Sequence, residues 1–512
     1  MRALLLTSIG VACAGALLLP LAPTESAESP LTDKHAASAD DAVPPSVRAA
    51  GAAPAQQGGP VPGHTQSLAL GAPGDVTRSG DQLLSAWEDD PSGGRRIVSR
   101  KVKPFALVGV VWDDARAVPR DQLQVQTRSS GTGRWSAWQS LNTHGDDRPD
   151  RDAVERSDAK AVGSTAPLWV GNSSEVRVRV LPASDADGAS PKSSGSGGPR
   201  QQPRQPELPT GARLELVDPG SDGPAAGRHG KGGNNRHHKE QHGKPGAERA
   251  DGHAKRPGGV LPALSRAETK ARYGKSAAKA AKAAAAKAAE AGRSDHAGQS
   301  GRTGKDRRAN TSIGPRPEIV TRKGWGADES LREQAFRYTQ SVKAVFVHHT
   351  AETNGYSCDQ VPSIIRGIYR YHVKSSRWRD IGYNFLVDKC GKVYEGRAGG
   401  VARAVMGAHT FGFNVDTTSI AVLGTYSGTA PARPAVEAVG GLAAWKLGVH
   451  GVGATSKVTL TSGGGTKYRK GSRVSFHAIA AHRDGYATEC PGDTLYNELP
   501  AIRTAAGRLQ GR

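Results

Sequence analysis

Two regions of this chain carry a regular hydrophobic pattern, and they are separated by a stretch that carries almost none. In the first, Leu123–Thr127 and Glu175–Val180 alternate apolar and polar residues with period two, as half-buried strands do. Pro104–Trp112 is a nearly continuous apolar run of the buried-strand type. Arg134–Trp138, Pro167–Val170 and Arg213–Val217 read as further short strands. No helical period accompanies them, so residues 67–220 are expected to form a β-rich, sandwich-like accessory domain. Trp112, Trp135, Trp138 and Trp169 suit either core packing or stacking on carbohydrate; their embedding in strands favours packing.

In the second region, residues 315–512, strand and helix periods mix. Ser341–Val347 is strand-like and runs into His348-His349-Thr350. Ile364, Ile365, Ile368 and Tyr369 have helical spacing within Pro362–Tyr371. Asp380–Asp388 reads as a strand, Lys389–Lys392 as a turn, Val393–Glu395 as the return strand, and Thr418–Gly424 as another. Pro434–Leu447 predicts a helix, with Pro434 at its start and Gly448 just past its end. Lys457–Tyr468 contains three consecutive glycines. No helix with G-K-[ST] follows, so this is a surface hairpin rather than a phosphate loop. The expectation is a mixed α/β domain with a central mixed sheet flanked by helices.

Composition explains the rest. Hydrophobic residues make up 36% of the 512, with 65 Gly and 32 Pro, so much of the chain cannot bury a core. Met1-Arg2 followed by the apolar run Ala3–Leu19 predicts a secretory signal over residues 1–27, cleaved between Ala22 and Ala27. The run is long enough for an uncleaved anchor to be conceivable, but no later segment is apolar enough to span a bilayer. A secreted, cell-wall-associated protein without a stable membrane anchor is the expectation. Residues 28–66 read as a flexible lead-in.

Residues 221–314 read as a long basic linker, disordered or helical. Between Arg228 and Asn310 there are 20 Lys and Arg against 7 Asp and Glu, which is +13 of the chain's +21. Within it, Lys275–Glu290 has high helix propensity and no large apolar face, so it reads as a solvated spacer with nothing to pack on. A cationic arm attracts polyanions; export favours an anionic cell-wall polymer and argues against nucleic acid.

The chemistry-bearing stretch is Ala481–Asp493, where His482 and Cys490 stand eight residues apart and Thr488 precedes the cysteine by two. Neutral imidazole and thiolate both suit Zn²⁺, which needs at least a third ligand. Beyond the signal three cysteines remain, Cys358, Cys390 and Cys490, an odd number for a secreted protein. One disulfide, Cys358 with Cys390, and one metal-bound thiolate is the simplest account. The third ligand is sought in His348-His349, of which only one can face a given metal because successive strand residues point to opposite sides.

Several segments in order now carry a resemblance: Phe346–Ala351, Trp378–Phe385, Tyr394–Arg397, Gly407–Asn414 and His482–Asp493. They resemble the zinc amidases that share the peptidoglycan-recognition-protein fold, and they cover Pro315 to Arg503. The β-rich region is similar, more weakly, to one that accompanies such domains in secreted actinobacterial proteins. The resemblance implies zinc held by His348, His482 and Cys490, with Tyr383 and Thr488 assisting catalysis. It also implies that His349, His409 and Asn414 line or border the substrate cleft, and that the substrate is the amide between the muramic acid lactyl group and L-Ala of peptidoglycan. Phage members carry lysine where Thr488 stands; threonine matches catalytic animal members. Glu395 is a tempting general base, although its setting in the family looks structural. The alternative reading is a non-catalytic peptidoglycan-binding module whose zinc is closed by a fourth ligand from Cys358 or Cys390. A wall-anchored adhesion protein is a third, weaker reading.

Overall fold

The computed structural model describes residues 61–70, 82–83, 87–92, 94–115, 117–143, 162–182, 207–220, 259–293 and 312–512. The expected signal segment, most of the lead-in and the greater part of the 221–314 linker lie outside these residues. Among the described residues no helix is long and apolar enough to cross a membrane.

The β-rich region comprises β1 (His64–Ala69), β2 (Gln82–Leu83), β3 (Trp87–Asp89), β4 (Arg95–Trp112), β5 (Gln122–Ser129), β6 (Gln139–Ser140), β7 (Gly163–Ser164), β8 (Leu168–Leu181) and β9 (Arg213–Asp218). They join one sheet in the order β2-β1-β9-β4-β8-β5-β6, with β3 and β7 also paired to β4. Register shifts along β4, between Ile97 and Arg100 and on either side of Phe105, bend this long strand. The sheet closes over a core that includes Phe105, Val108, Val110, Leu123, Val178 and Leu214.

Alternation within β4 explains its unbroken apolar run. Val108, Val110 and Trp112 enter this core, whereas Leu107 and Val111 point the opposite way into a second core shared with the C-terminal region. Both faces are covered, so both are apolar. Of the four tryptophans expected to pack, Trp112 and Trp169 are buried. Trp135 and Trp138 are half-buried instead, with the Arg177 and Arg179 guanidinium groups 4.0 and 4.4 Å over their rings.

The C-terminal region contains β10 (Val260–Leu261), α1 (Arg266–Arg293), β11 (Ile319–Val320), β12 (Ala344–His349) and α2 (Val361–Arg370), continued by a π turn at Tyr371–Ser375. Then follow β13 (Phe385–Val387), β14 (Val393–Glu395), β15 (Thr417–Val422), α3 (Arg433–Val449), β16 (Lys457–Thr461), β17 (Arg473–His477), β18 (Ile479–Ala481), α4 (His482–Gly485), α5 (Asp493–Asn497) and α6 (Leu499–Leu509). Seven strands form a mixed sheet in the order β10-β11-β14-β13-β15-β12-β18. β12 is parallel to both neighbours, β15 and β18. Val345 and Val347 pack with α3 and α6 on one face, and α2 covers Leu386 and Ala421 on the other.

Two expectations need correction. The Ala/Lys segment is not a spacer with nothing to pack on: β10 pairs with β11, and Thr269, Tyr273, Ala277 and Ala281 of α1 are buried at four-residue intervals. The Tyr273 ring meets Trp445 of α3 edge-on at 6.0 Å. Alanine supplies little apolar area, but its small side chain lets backbones approach closely, as where Ala281 lies against Gly451. Residues 259–293 therefore belong physically to the C-terminal body, while Lys270, Arg272, Lys275 and Lys279 stay exposed. Gly448, expected just past the end of α3, lies inside it. A Cβ there would come within 2.7 Å of Ile313 Cα, so its role is close chain crossing rather than helix termination.

Candidate metal centre and its surroundings

β12 presents two histidines to opposite faces. His348 shares a face with Phe346, and His349 shares the other with Val347. β18 lies parallel beside β12, with Ala481 opposite Val347. His482 therefore begins α4 next to His348, at the carboxyl ends of adjacent parallel strands, where open α/β sheets place their sites.

Cys490 comes from the loop that follows. Its carbonyl accepts the Arg483 N–H (3.0 Å), and its own N–H donates to Thr488 Oγ1 (3.0 Å). Gly492 then crosses the backbone of Tyr426 so closely that a Cβ would lie 2.3 Å from the Tyr426 carbonyl carbon. That crossing holds the chain, two residues beyond the sulfur, against the 426–427 backbone.

The His348, His482 and Cys490 donor atoms all lie within 4.8 Å of one another, and all three residues are buried. Cys490 Sγ is 3.8 Å from His348 Nδ1. Zinc bonded tetrahedrally at about 2.3 Å to sulfur and 2.0–2.1 Å to nitrogen separates these ligands by roughly 3.5 Å. Donor chemistry and spacing both fit zinc. Cys358 and Cys390 are joined as a disulfide, so neither thiol is available as a fourth ligand.

Neighbouring groups orient these donors. The His349 N–H donates to Cys490 Sγ (3.4 Å), and the same sulfur lies 3.9 Å from the His349 carbonyl oxygen. His348 Nε2 lies 3.4 Å from Thr410 Oγ1, leaving Nδ1 toward the sulfur, and Thr410 Oγ1 is in turn 3.0 Å from His409 Nδ1. Such outer partners fix the tautomer and ring orientation of a metal-binding imidazole. Thr410 carries no distinguishing sequence signal and was not among the expected site residues.

The expected catalytic pair sits near this centre in different ways. The Tyr383 ring is 5.8 Å from that of His348, centroid to centroid. Thr488 is half-buried and holds the Cys490 backbone.

The three residues expected to line or border the cleft are buried, as are His348, His482 and Tyr383. Asn414 is fully buried, and its Oδ1 accepts the N–H groups of His409 (2.7 Å) and Thr410 (3.0 Å). His409 is likewise fully buried, packed on Phe346 and His348. His349 is 6% exposed, with Nδ1 accepting the Tyr426 N–H (3.3 Å). The 407–414 loop turns its polar groups inward to satisfy its own backbone, so these residues shape the site from beneath. Glu395 is engaged in holding neighbouring backbone and indole groups. Its Oε2 accepts the Arg322 N–H (3.3 Å), its carbonyl accepts the Trp325 indole N–H (2.7 Å), and burial raises its carboxyl pKa.

Comparison with known proteins agrees with this architecture. Residues 338–493 match the N-acetylmuramoyl-L-alanine amidase family, and residues 54–207 match the Rv3811 N-terminal galactose-binding domain-like family. Peptidoglycan-recognition protein SC2 of Drosophila simulans is 30% identical over 184 residues, spanning 35% of this chain and 84% of that protein. The N-acetylmuramoyl-L-alanine amidase of Homo sapiens is 30% identical over 185 residues, 36% of this chain and 28% of that one. The solved structure of wild-type Drosophila PGRP-LB is 23% identical, covers 36% of this chain and 92% of its own, and gives a TM-score of 0.29. From the alignment over most of an SC2 protein, and the amidase-family match within the same segment, the chain belongs to the peptidoglycan-recognition protein and N-acetylmuramoyl-L-alanine amidase family.

Proposed function

We propose that the chain is a secreted, zinc-dependent N-acetylmuramoyl-L-alanine amidase that cleaves the amide joining the muramic acid lactyl group to L-Ala of the peptidoglycan stem. The observation that carries this reading is the cage of His348, His482 and Cys490, three buried donors with no second free cysteine among the described residues to act as a fourth ligand. Structural zinc sites are closed by four protein ligands, whereas catalytic sites keep one position open. A zinc ion held by these residues would supply Lewis acidity and a bound water of pKa about 7. The Tyr383 hydroxyl donates to the oxyanion that develops on the scissile carbonyl. Thr488 holds the Cys490 loop and offers its hydroxyl at the site. His409, Thr410 and Asn414 keep the imidazoles oriented.

Export rests on the Met1–Leu19 pattern, and wall association on the cationic residues of 221–314, including the exposed row on α1. An anionic wall polymer is the partner that this charge suits. The reading with zinc closed by Cys358 or Cys390 as a fourth ligand is disfavoured because those two sulfurs are joined to each other.

The test incubates purified peptidoglycan with zinc-loaded protein, chelator-treated protein and Cys490→Ser. Release of stem peptides by the first sample alone supports the amidase. Equal binding without release in all three establishes a recognition module instead.

A further inference from the structure

Polar contacts from the β-rich domain converge on the end of α2 and the π turn that follows it. Arg366 donates to the carbonyls of Pro219 (3.1 Å) and Gly220 (3.4 Å). Ser375 Oγ donates to Glu215 Oε2 (3.0 Å), and Ser376 Oγ lies 3.2 Å from Ser164 Oγ. Tyr371 is completely buried, and its hydroxyl sits among Val110 O (3.3 Å), Thr165 O (3.2 Å) and Thr165 Oγ1 (3.4 Å). The seat exists because β4 carries Gly109 there: a Cβ would lie 2.4 Å from the Tyr371 hydroxyl.

The residue after Tyr371 faces the candidate site. His372 is 3% exposed, and its ring stacks on Trp378 at 4.3 Å. Its Nδ1 accepts the Gly382 N–H (3.2 Å), and its ring centroid is 5.9 Å from that of Tyr383. Gly382 is itself clamped. A Cβ would meet Ala408 O at 2.6 Å and the Trp378 ring at 2.8 Å, and its carbonyl accepts the Ala408 N–H (3.0 Å). Tyr383 therefore leaves a backbone position held from three sides. The π turn, closed by the Ser376 N–H on Tyr371 O (2.9 Å), is what lets consecutive side chains serve the β-rich domain and the site. Such turns occur mostly as single insertions in helices, frequently at functional sites.

We propose that the β-rich domain is a positioning element for Tyr383: its sheet seats Tyr371, Tyr371 fixes the π turn, and the π turn presents His372 Nδ1 to Gly382. His372 is thus a positioning residue, acting through the backbone that carries Tyr383. The kinetic part of this inference rests on the amidase reading above; the geometric part does not.

The test uses the full chain with Tyr371→Phe, which keeps the ring and loses the hydroxyl, and His372→Phe, which keeps the stack and loses the acceptor. His372→Asn, with an acceptor where Nδ1 stood, is the rescue variant. Faster amide exchange is expected in the 377–386 peptide of both Phe variants, with 345–350 and 482–490 unchanged and zinc content retained. kcat is expected to fall about ten- to hundredfold at nearly constant KM, because small misplacements of catalytic groups cost this much, and the Asn variant is expected to recover most of it. Folded Phe variants with unchanged exchange over 377–386 overturn the proposal. So does a loss confined to KM. If the wild type releases no stem peptide, the amidase reading fails while the exchange measurement still decides the positioning.

Discussion

Replacing Gly492 by alanine tests whether the crossing over Tyr426 sets the metal centre. Gly492 has φ +86° and ψ 151°, a region essentially restricted to glycine, and adopting it with a side chain costs about 1–3 kcal/mol. The added methyl would also meet Tyr426 carbonyl carbon at 2.3 Å, its oxygen at 2.4 Å and the Ser427 nitrogen at 2.5 Å. All three are backbone atoms, so relief requires moving a chain, and overpacking of this kind costs about 1–3 kcal/mol more. The sum is about 2–6 kcal/mol. Gly471 is the internal control, since it has the same φ of +86° with nothing within 4 Å of its Cβ position. Gly471→Ala should cost only the backbone term, about 1–3 kcal/mol. Urea melts of both variants give the stability difference, and competition with a chromogenic chelator gives zinc affinity. Gly492→Ala is expected to lose affinity because Cys490 lies two residues away on the displaced segment; Gly471→Ala is expected to bind as the wild type does. Equal destabilisation of the two, or unchanged zinc affinity in Gly492→Ala, would refute the argument that this crossing positions the sulfur.

Tyr383→Phe is expected to lower kcat by about 10²–10³-fold, the usual loss for one oxyanion donor, with zinc content unchanged; full activity would remove Tyr383 from that role. Joint Cys358→Ala and Cys390→Ala replacement opens a link of sequence separation 32 and should cost about 3–4 kcal/mol in urea melts. Zinc binding should survive it, and loss of the metal from the folded variant would restore the fourth-ligand reading. Burial lowers the Lys446 ammonium from 10.5 to about 7, with Glu395 opposing. The unfolded chain then binds more protons than the native state between about pH 7 and 10.5. Stability from this group accordingly rises with pH there, by up to about 1.4 kcal/mol per unit. Lys446→Met should flatten that rise, read as the difference between wild-type and variant melts at pH 7, 8 and 9; parallel pH profiles would show that the lysine keeps its proton.

Much of this architecture was legible because local patterns and their tertiary settings agree. Strand alternation at 123–127 and 175–180 and the helix spacing of Ile364, Ile365 and Ile368 depend only on which face is buried. The separation of His348 from His349 likewise follows from strand geometry alone. The spacing of His482, Thr488 and Cys490 made a metal a reasonable expectation, and the resemblance supplied the third ligand. The reading of the Ala/Lys segment failed for a physical reason. Thr269, Tyr273, Ala277 and Ala281 do not look like a packing face, because alanine packs through close approach rather than area. The resemblance placed His409 and Asn414 at the border of the cleft, and only the fold shows that Asn414 turns inward on the amides of its own loop.

What the sequence by itself determined is therefore the inventory: two patterned regions, a basic interval, donors suited to zinc, and cysteines that divide into a pair and a single thiol. What only the tertiary structure decided is which surfaces meet. The outer face of β4 is apolar in the sequence whether or not anything covers it, and only the fold shows α2 and the π turn seated there. Likewise, Gly109 and Gly492 are ordinary glycines until another chain segment, distant in sequence, is brought within reach of the Cβ each lacks. Periodicity reports the environment of one segment; contact between segments depends on long-range approach, which no local pattern encodes.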